Sequence, residues 1–211
     1  MGEHQRGVAL VTGGAKRVGR AFIEALAADG HSCAVHYNTS SAQADGLVET
    51  IRGGGGRACA VGADLSDGDA AEGLIDRAAE ELGPISLLVN SASIFEDDRP
   101  DTITTDSFNR HMSANLLAPA LLSKAFAAQA SAGSLIVNLL DYKLFNVNAD
   151  YFSYTLSKAG LKAMTEMLAR DLAPSVRVCG IAPGLTLPSP YHSDEEFERL
   201  HHDNPLGVGP T

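Results

Sequence analysis

Short, nearly unbroken apolar runs alternate with longer stretches of helical periodicity, and this alternation constrains the fold of the chain more than any other feature. Val8-Ala9-Leu10-Val11 reads as a buried strand, followed by a helix over Val18–Ala28. Cys33–Tyr37 is a second strand, Ser41–Ile51 a second helix, Arg57–Val61 a third strand and Gly68–Leu82 a third helix. Ile85–Asn90 then reads as a fourth strand and Phe108–Ala130 as a long helix. Ser134–Leu140 is a fifth strand, Phe152–Leu172 another long helix and Val176–Ile181 a sixth strand. Strands that are apolar at consecutive positions are buried on both faces, as in a parallel sheet covered by helices on each side. The 211 residues therefore read as one α/β domain, a doubly wound parallel sheet large enough to bury a substantial core. Gly53–Gly56, between a helix and a strand, reads as a surface turn.

Composition narrows the function. A hydrophobic content of 45% with 20% charged residues describes a globular chain rather than a disordered one. A formal net charge of −10 argues against nucleic acid or an anionic membrane as the main partner. Cys33, Cys59 and Cys179 have neither metal-ligand spacing nor the pattern of a disulfide framework. No stretch approaches the roughly 20 apolar residues of a membrane helix, and Met1–Arg6 lacks a signal-peptide apolar run. These readings point to the cytoplasm. His192, His201 and His202 lie in an acidic segment, but no ligand set with metal geometry accompanies them, and no metal is expected.

Between the first strand and the first helix stands Thr12-Gly13-Gly14-Ala15-Lys16-Arg17-Val18-Gly19. In a Rossmann-type sheet this turn cradles dinucleotide phosphates: glycines admit the ligand's close approach, and the helix N-terminus supplies amides and a positive dipole end. The spacing is T-G-x-x-x-G-x-G, with Arg17 at the middle glycine. An acidic residue after the second strand would select a ribose 2′-hydroxyl and repel a 2′-phosphate. Here the sequence is His36-Tyr37-Asn38-Thr39-Ser40, without a carboxylate, opposite Lys16 and Arg17. The charge pattern favours NADP(H).

Tyr154 and Lys158 are spaced i, i+4, on one face of the predicted sixth-strand-preceding helix. A Lys ammonium there is expected to stabilise a phenolate and lower the Tyr pKa from about 10. A Tyr so tuned can exchange a proton with a substrate.

Together these residues resemble the short-chain dehydrogenase/reductase family over about Gly7–Pro188. The resemblance rests on the glycine turn, Asp64-Leu65, Asn90-Ser91-Ala92-Ser93, Asn115, Tyr154-x-x-x-Lys158 and Pro183-Gly184. It implies that Gly13, Lys16, Arg17, Val18, Gly19, Tyr37, Asn38, Thr39, Ser40, Asp64 and Leu65 contact the cofactor. It implies the same of Asn90, Ala92, Ser93, Leu139, Lys158 and Pro183-Gly184-Leu185-Thr186, the last four flanking the nicotinamide. Asn115 would order a proton-relay water. The family usually carries a Ser thirteen residues before the Tyr, where this chain has Asp141. That exchange, with Arg17, Asn90-Ser91-Ala92-Ser93 and Phe95, resembles the pteridine reductases and the bacterial dihydromonapterin and dihydrofolate-type reductases. In that subfamily the Asp, Tyr and Lys are catalytic, the Arg faces cofactor and pterin, and the Phe stacks the pterin.

The expected catalytic set is thus Asp141, Tyr154, Lys158 and Asn115, with Arg17, Ser93, Phe95, Asp141, Tyr154 and Leu187 toward the substrate. The expected reaction is NADPH-dependent reduction of a dihydropterin C=N bond. A carboxylate beside Tyr154 disfavours the phenolate and opposes an oxyanion. Protonated, or sharing a proton with Tyr154, it can donate to a ring nitrogen, and it can accept from the N–H and NH₂ groups of a pterin. Two alternatives stay open: a reductase of a carbonyl such as a 3-oxoacyl thioester or sugar ketone, and a weakly catalytic NADP(H)-binding subunit. The resemblance also implies a further helix and a last parallel strand after the position of Thr211. It implies a homo-oligomer, tetramer or dimer, formed through the two long helices, where Leu161, Met164, Met167 and Leu168 exceed one core-facing stripe. Ser193–Asp203 is expected to form a small helix closing over the substrate within a 185–205 region, with Leu185–Pro190 as its approach.

Overall fold

In the computed structural model, which describes residues 6–187, 193–203 and 207–209, six parallel strands form one sheet in the order β3-β2-β1-β4-β5-β6. The strands are β1 (Val8–Val11), β2 (Ser32–Tyr37), β3 (Ala58–Gly62), β4 (Ile85–Asn90), β5 (Ser134–Leu139) and β6 (Val176–Ile181). The order reverses between β1 and β4, which creates a crevice at their C-terminal ends, where such sheets bind ligands.

The apolar runs are long because β1 and its neighbours are covered on both faces. Val8 and Leu10 enter one core with Leu74 and Ile75 of α3 (Gly68–Leu82) and with Leu122 and Phe126 of α5 (Ala118–Gln129). Val11 points the other way, toward Ile23 of α1 (Arg17–Ala28) and Ala44, Leu47, Val48 and Ile51 of α2 (Ser41–Gly53). This is the period-two alternation of a strand, with both faces apolar. At the far edge Arg177, Cys179, Gly180 and Ile181 of β6 are exposed.

The long helix expected over residues 108–130 runs unbroken from Thr105 to Gln129 but contains a π turn. Thr104 and Ser107 form a capping box that starts α4 (Thr105–Met112) three residues early. A π turn follows at Ser113–Leu117, in which the Ala118 N–H reaches Ser113 O, and only then does α5 begin. Pro119 supplies the reason: it has no N–H for the carbonyl of Asn115 four residues back, and its ring crowds that carbonyl.

The helix that carries Tyr154 and Lys158, α6 (Phe152–Asp171), packs on β5, β6, α4 and the π turn. It is tied to the sheet by a buried polar ladder. Asn90 Nδ2 donates to Asn138 Oδ1 (2.8 Å), Asn138 Nδ2 to Thr165 Oγ1 (2.9 Å), and Thr165 Oγ1 to Leu161 O (2.7 Å). Of the helix residues considered for an oligomer contact, Leu161 is buried, Met164 and Leu168 are half-buried and Met167 is exposed. The short helix expected near residue 198 exists as α7 (Asp194–His202), with Ser193 Oγ accepting from Glu196 N–H (3.2 Å). Among the described residues no helix is long and apolar enough to cross a membrane, and no His, Cys, Asp and Glu cluster could hold a metal.

Replacing Asn138 by Ala leaves Asn90 Nδ2 without its acceptor inside the core. We expect about 2 kcal/mol of lost stability, measured as a lower urea midpoint at unchanged m.

Candidate active site

The switch-point crevice is built from short polar links. Thr12 Oγ1, at the end of β1, accepts from Ser91 N–H (2.9 Å) and Ala92 N–H (3.0 Å), so the loops after β1 and β4 are fastened together. Gly13 has φ +64° and lies so close to this loop that an added Cβ would stand 3.1 Å from Ala92 Cα. A Cβ on Gly19 would stand 2.3 Å from Gly13 O. Both glycines are therefore demanded by close backbone approach. Arg17, at φ +52°, holds the left-handed conformation that the glycine of T-G-x-x-x-G-x-G would adopt freely; for a residue with a Cβ this costs about 1–2 kcal/mol. Lys16 and Arg17 are exposed at the mouth, Val18 is half-buried, and Gly19 is buried beneath them.

His36 has a larger part than its sequence position indicates. Its Nδ1 accepts from Gly13 N–H (3.0 Å), and its Nε2–H faces Ala63 O (3.1 Å). One buried imidazole thus braces the glycine turn against the loop after β3. Burial pushes its pKa down to about 4, with the nearby Arg77 adding to the effect and the Ala63 contact opposing it. The Tyr37 ring lies over Gly62, where a Cβ would meet Tyr37 Cζ and Oη at 3.0 Å. Asn38 and Thr39 are exposed and Ser40 is half-buried. Asp64 is exposed, and the Ser66 N–H (2.9 Å) and hydroxyl (2.8 Å) both donate to its Oδ1, holding the carboxylate below its usual pKa. Leu65 is part of the core. At the end of β4, Asn90 Oδ1 is buried with no hydrogen-bond partner among the described residues.

On the other side of the crevice β5 ends at Leu139, and Leu140 N–H donates to Ile181 O (2.7 Å). Asp141 follows. Its Oδ1 accepts from Lys143 N–H (2.7 Å), opening a 3₁₀ turn at Tyr142–Phe145. Its Oδ2 accepts from Tyr154 Oη at 2.5 Å. Lys158 Nζ donates to Leu139 O (2.7 Å) and lies 5.7 Å from the Tyr154 ring centroid. Of the two opposing influences expected on Tyr154, the lowering by Lys158 is overturned and the opposition of Asp141 to the phenolate prevails. Burial, then the charge of Asp141 and the hydrogen bond to it, push the Tyr154 pKa above its ordinary value. Burial pushes Lys158 down to about 8, against the attraction of Asp141. Tyr154 accordingly keeps its proton through the neutral range.

Asn115, buried in the π turn, uses both ends of its amide to hold the neighbouring loops. Oδ1 accepts from Ile94 N–H (2.8 Å) and Ser93 Oγ (3.2 Å), while Nδ2 donates to Ile94 O (2.9 Å) and Ser157 Oγ (3.0 Å). Beyond Ser93, the Phe95 ring meets Tyr154 edge-on at 4.7 Å and stacks on Tyr151 at 4.2 Å. Tyr142 N–H donates to Pro183 O (3.0 Å), which brings the Pro183–Gly184 turn to the Asp141 side. Thr186 Oγ1 donates to Gly184 O (3.0 Å), and His201 Nδ1 faces Leu185 O (2.7 Å), docking α7 there. Leu187 is exposed; residues 188–190 of the expected approach segment and His192 lie outside the described residues.

Asp98 was absent from the sequence reading. It is buried, and its carboxylate accepts from Ser153 N–H (2.8 Å), Ser153 Oγ (2.5 Å) and Ser107 Oγ (3.0 Å), so it caps the first turn of α6 from 55 residues away. Burial works against its charge, but the Ser153 and Ser107 donors and His111 prevail and keep its pKa low. A cap this remote in sequence has no local signature, since helix-start patterns concern only adjacent residues.

Acid should weaken the molecule through His36. The unfolded histidine titrates near 6.5 and the folded one near 4, so the unfolded state binds more protons between those values. Stability then falls as pH drops through that window, by about 3 kcal/mol in total. Urea unfolding at pH 7 and pH 4 should show this loss in the wild type and a smaller one in His36→Gln.

The family profile described as short chain dehydrogenase matches residues 7–198. Pteridine reductase 1 of Leishmania tarentolae is 31% identical, covering 91% of this chain and 82% of that protein. A 3-oxoacyl-[acyl-carrier-protein] reductase of Synechocystis is 32% identical over 84% of this chain and 73% of its own length. Among solved structures, FolM alternative dihydrofolate reductase 1 from Brucella canis, complexed with NADP, superposes with a TM-score of 0.95 at 38% identity. That match covers 99% of this chain and 83% of the Brucella chain. With its strand order, glycine turn and Tyr154/Lys158 pair in place, the chain belongs to the short-chain dehydrogenase/reductase family.

Proposed function

We propose that the protein is an NADPH-dependent reductase of a dihydropterin C=N bond. The observation that carries the proposal is the 2.5 Å hydrogen bond from Tyr154 Oη to Asp141 Oδ2, with the Phe95 ring 4.7 Å from Tyr154. A flat bicyclic ring beside Phe95 would find an apolar face, a proton donor in Tyr154 and an acceptor for its N–H and NH₂ groups in Asp141.

The residues fit a dinucleotide phosphorylated at the ribose 2′ position. Gly13 and Gly19 leave a cradle that a Cβ would fill, Asn90 Oδ1 offers an unused buried acceptor, and no acid follows β2. Gly13, Lys16, Arg17, Val18 and Gly19 would hold the phosphates, with Tyr37, Asn38, Thr39 and Ser40 at the 2′-phosphate. Asp64, Leu65, Asn90, Ala92 and Ser93 would hold the adenosine side, and Leu139, Lys158, Pro183, Gly184, Leu185 and Thr186 the nicotinamide side. When bound, the cofactor supplies a hydride.

Burial and Asp141 keep Tyr154 protonated in the unliganded site, so the hydroxyl has a proton to give, which negative charge developing on the substrate nitrogen would draw off. Tyr154 Oη–H would turn from Asp141 Oδ2 to the substrate nitrogen. Asp141, relieved of that donor, would accept hydrogen bonds from the substrate's amino groups. Lys158, buried beneath Tyr154, would keep positive charge beside the oxygen as its proton leaves. The likeness to a 3-oxoacyl reductase supports a second reading, reduction of a carbonyl, against which Asp141 stands: a carboxylate there opposes an oxyanion.

The first test follows NADPH oxidation with a dihydropterin, with NADH and an acetoacetyl thioester as parallel controls; turnover on the thioester alone would refute the proposal. Tyr154→Phe should lower kcat by about 10²–10⁴-fold. Asp141→Ser should abolish pterin turnover and raise any carbonyl activity. kcat/KM should decline above pH 8 as Lys158, with its pKa of about 8, loses its proton. In Lys158→Arg that decline should disappear from the pH 7–10 profile, because Arg stays charged there.

A further inference from the structure

We propose that Lys143 is a positioning residue that sets the affinity for a flat substrate by clamping the aromatic wall of the site. The substrate class rests on the pterin reading above, but the clamp rests on geometry. Lys143 is the second residue after Asp141, and its backbone N–H donates to Asp141 Oδ1 at 2.7 Å. Its side chain turns inward, only 16% exposed, and its ammonium bonds the side chains of Asn148 and Asp150. The same ammonium lies 5.8 Å from the centroid of the Tyr151 ring, within cation–π range. Tyr151 in turn stacks on Phe95, with centroids 4.2 Å apart and planes 8° from parallel.

The chain of contacts Lys143–Tyr151–Phe95–Tyr154 therefore runs from a charged clamp to the reacting hydroxyl. Phe95 has Tyr151 against one face and still exposes 38% of its surface. We read Tyr151 as the backing of Phe95, whose edge contact with Tyr154 places the ring beside the substrate. The backbone of Tyr151 needs holding: it sits at φ +48°, ψ +49°, a left-handed conformation that a bulky residue seldom adopts. Its N–H donates to Asp97 Oδ1 (3.3 Å), two residues past Phe95. Lys143 thus serves two walls at once, the carboxylate through its backbone and the aromatic pair through its side chain. Lys143→Met removes the second, with the bonds to Asn148 and Asp150, and leaves the first, since the backbone N–H remains.

The test places 3-fluorotyrosine at position 151 and reads its ¹⁹F shift in the full-length protein with Lys143, Lys143→Met, Lys143→Arg and, as the unstacked reference, Phe95→Leu. The resonance should move to the Phe95→Leu position in Lys143→Met and stay near wild type in Lys143→Arg. With unlabelled enzyme and a dihydropterin, Lys143→Met should raise KM about threefold to fivefold, with kcat within twofold and Lys143→Arg restoring KM. A fluorine shift unmoved in Lys143→Met overturns the clamp. A shift that moves without a change in KM overturns its role in substrate affinity, and a lowered KM shows that Tyr151 covers the substrate face instead. Absence of pterin turnover in the wild type overturns the pterin reading and with it the assigned substrate class, while the fluorine shift still decides the clamp.

Discussion

The carboxylate of Asp98 is the constraint on which the site's geometry depends. It caps α6 through Ser153, while the backbone carbonyl of the same residue accepts from Phe152 N–H at 2.9 Å. The loop that carries Phe95 is thereby locked to the start of the helix that carries Tyr154 and Lys158. With the hold of Asn115 on Ile94 and Ser157, this lock keeps the Phe95 loop against the helix of Tyr154. The buried donors around Asp98 are also why its charge survives burial: a buried carboxylate is tolerated where N–H and O–H groups converge on it.

The same economy recurs around the crevice. Thr12 joins the β1 and β4 loops, His36 joins the glycine turn to the β3 loop, and Asn115 joins the Ser93–Ile94 loop to Ser157 on α6. Each joint is a single short polar side chain satisfying backbone groups that loops leave unpaired. The sheet supplies rigidity, and these joints transmit it to the loops around the crevice.

The electrostatics of the pair Tyr154–Asp141 set this site apart from one that relies on a hydroxyl beside the tyrosine. A neutral neighbour would leave Lys158 free to favour a phenolate. A carboxylate accepting the Tyr154 proton at 2.5 Å does the opposite and holds the hydroxyl in its acid form. Lys158, buried and bonded to Leu139 O, becomes the group whose protonation changes near neutral pH.

Much of this was legible in the sequence. The six strands, their parallel pairing and most helix bounds follow from apolar patterning, because a strand buried on both faces has no polar positions to spare. Gly13 and Gly19 were legible as glycines of close backbone approach, and Tyr154 and Lys158 as neighbours on one helix face, because spacing sets both; Asp141 was legible only through the family resemblance. Tertiary structure alone decided the rest. The Tyr154 pKa is raised first by burial and then by Asp141, and spacing along a helix reveals neither the depth of burial nor which charge lies nearer the oxygen. The cap by Asp98, the brace by His36 and the stack of Phe95 on Tyr151 join residues 23 to 56 positions apart, and only the folded sheet brings such residues within hydrogen-bond or ring contact.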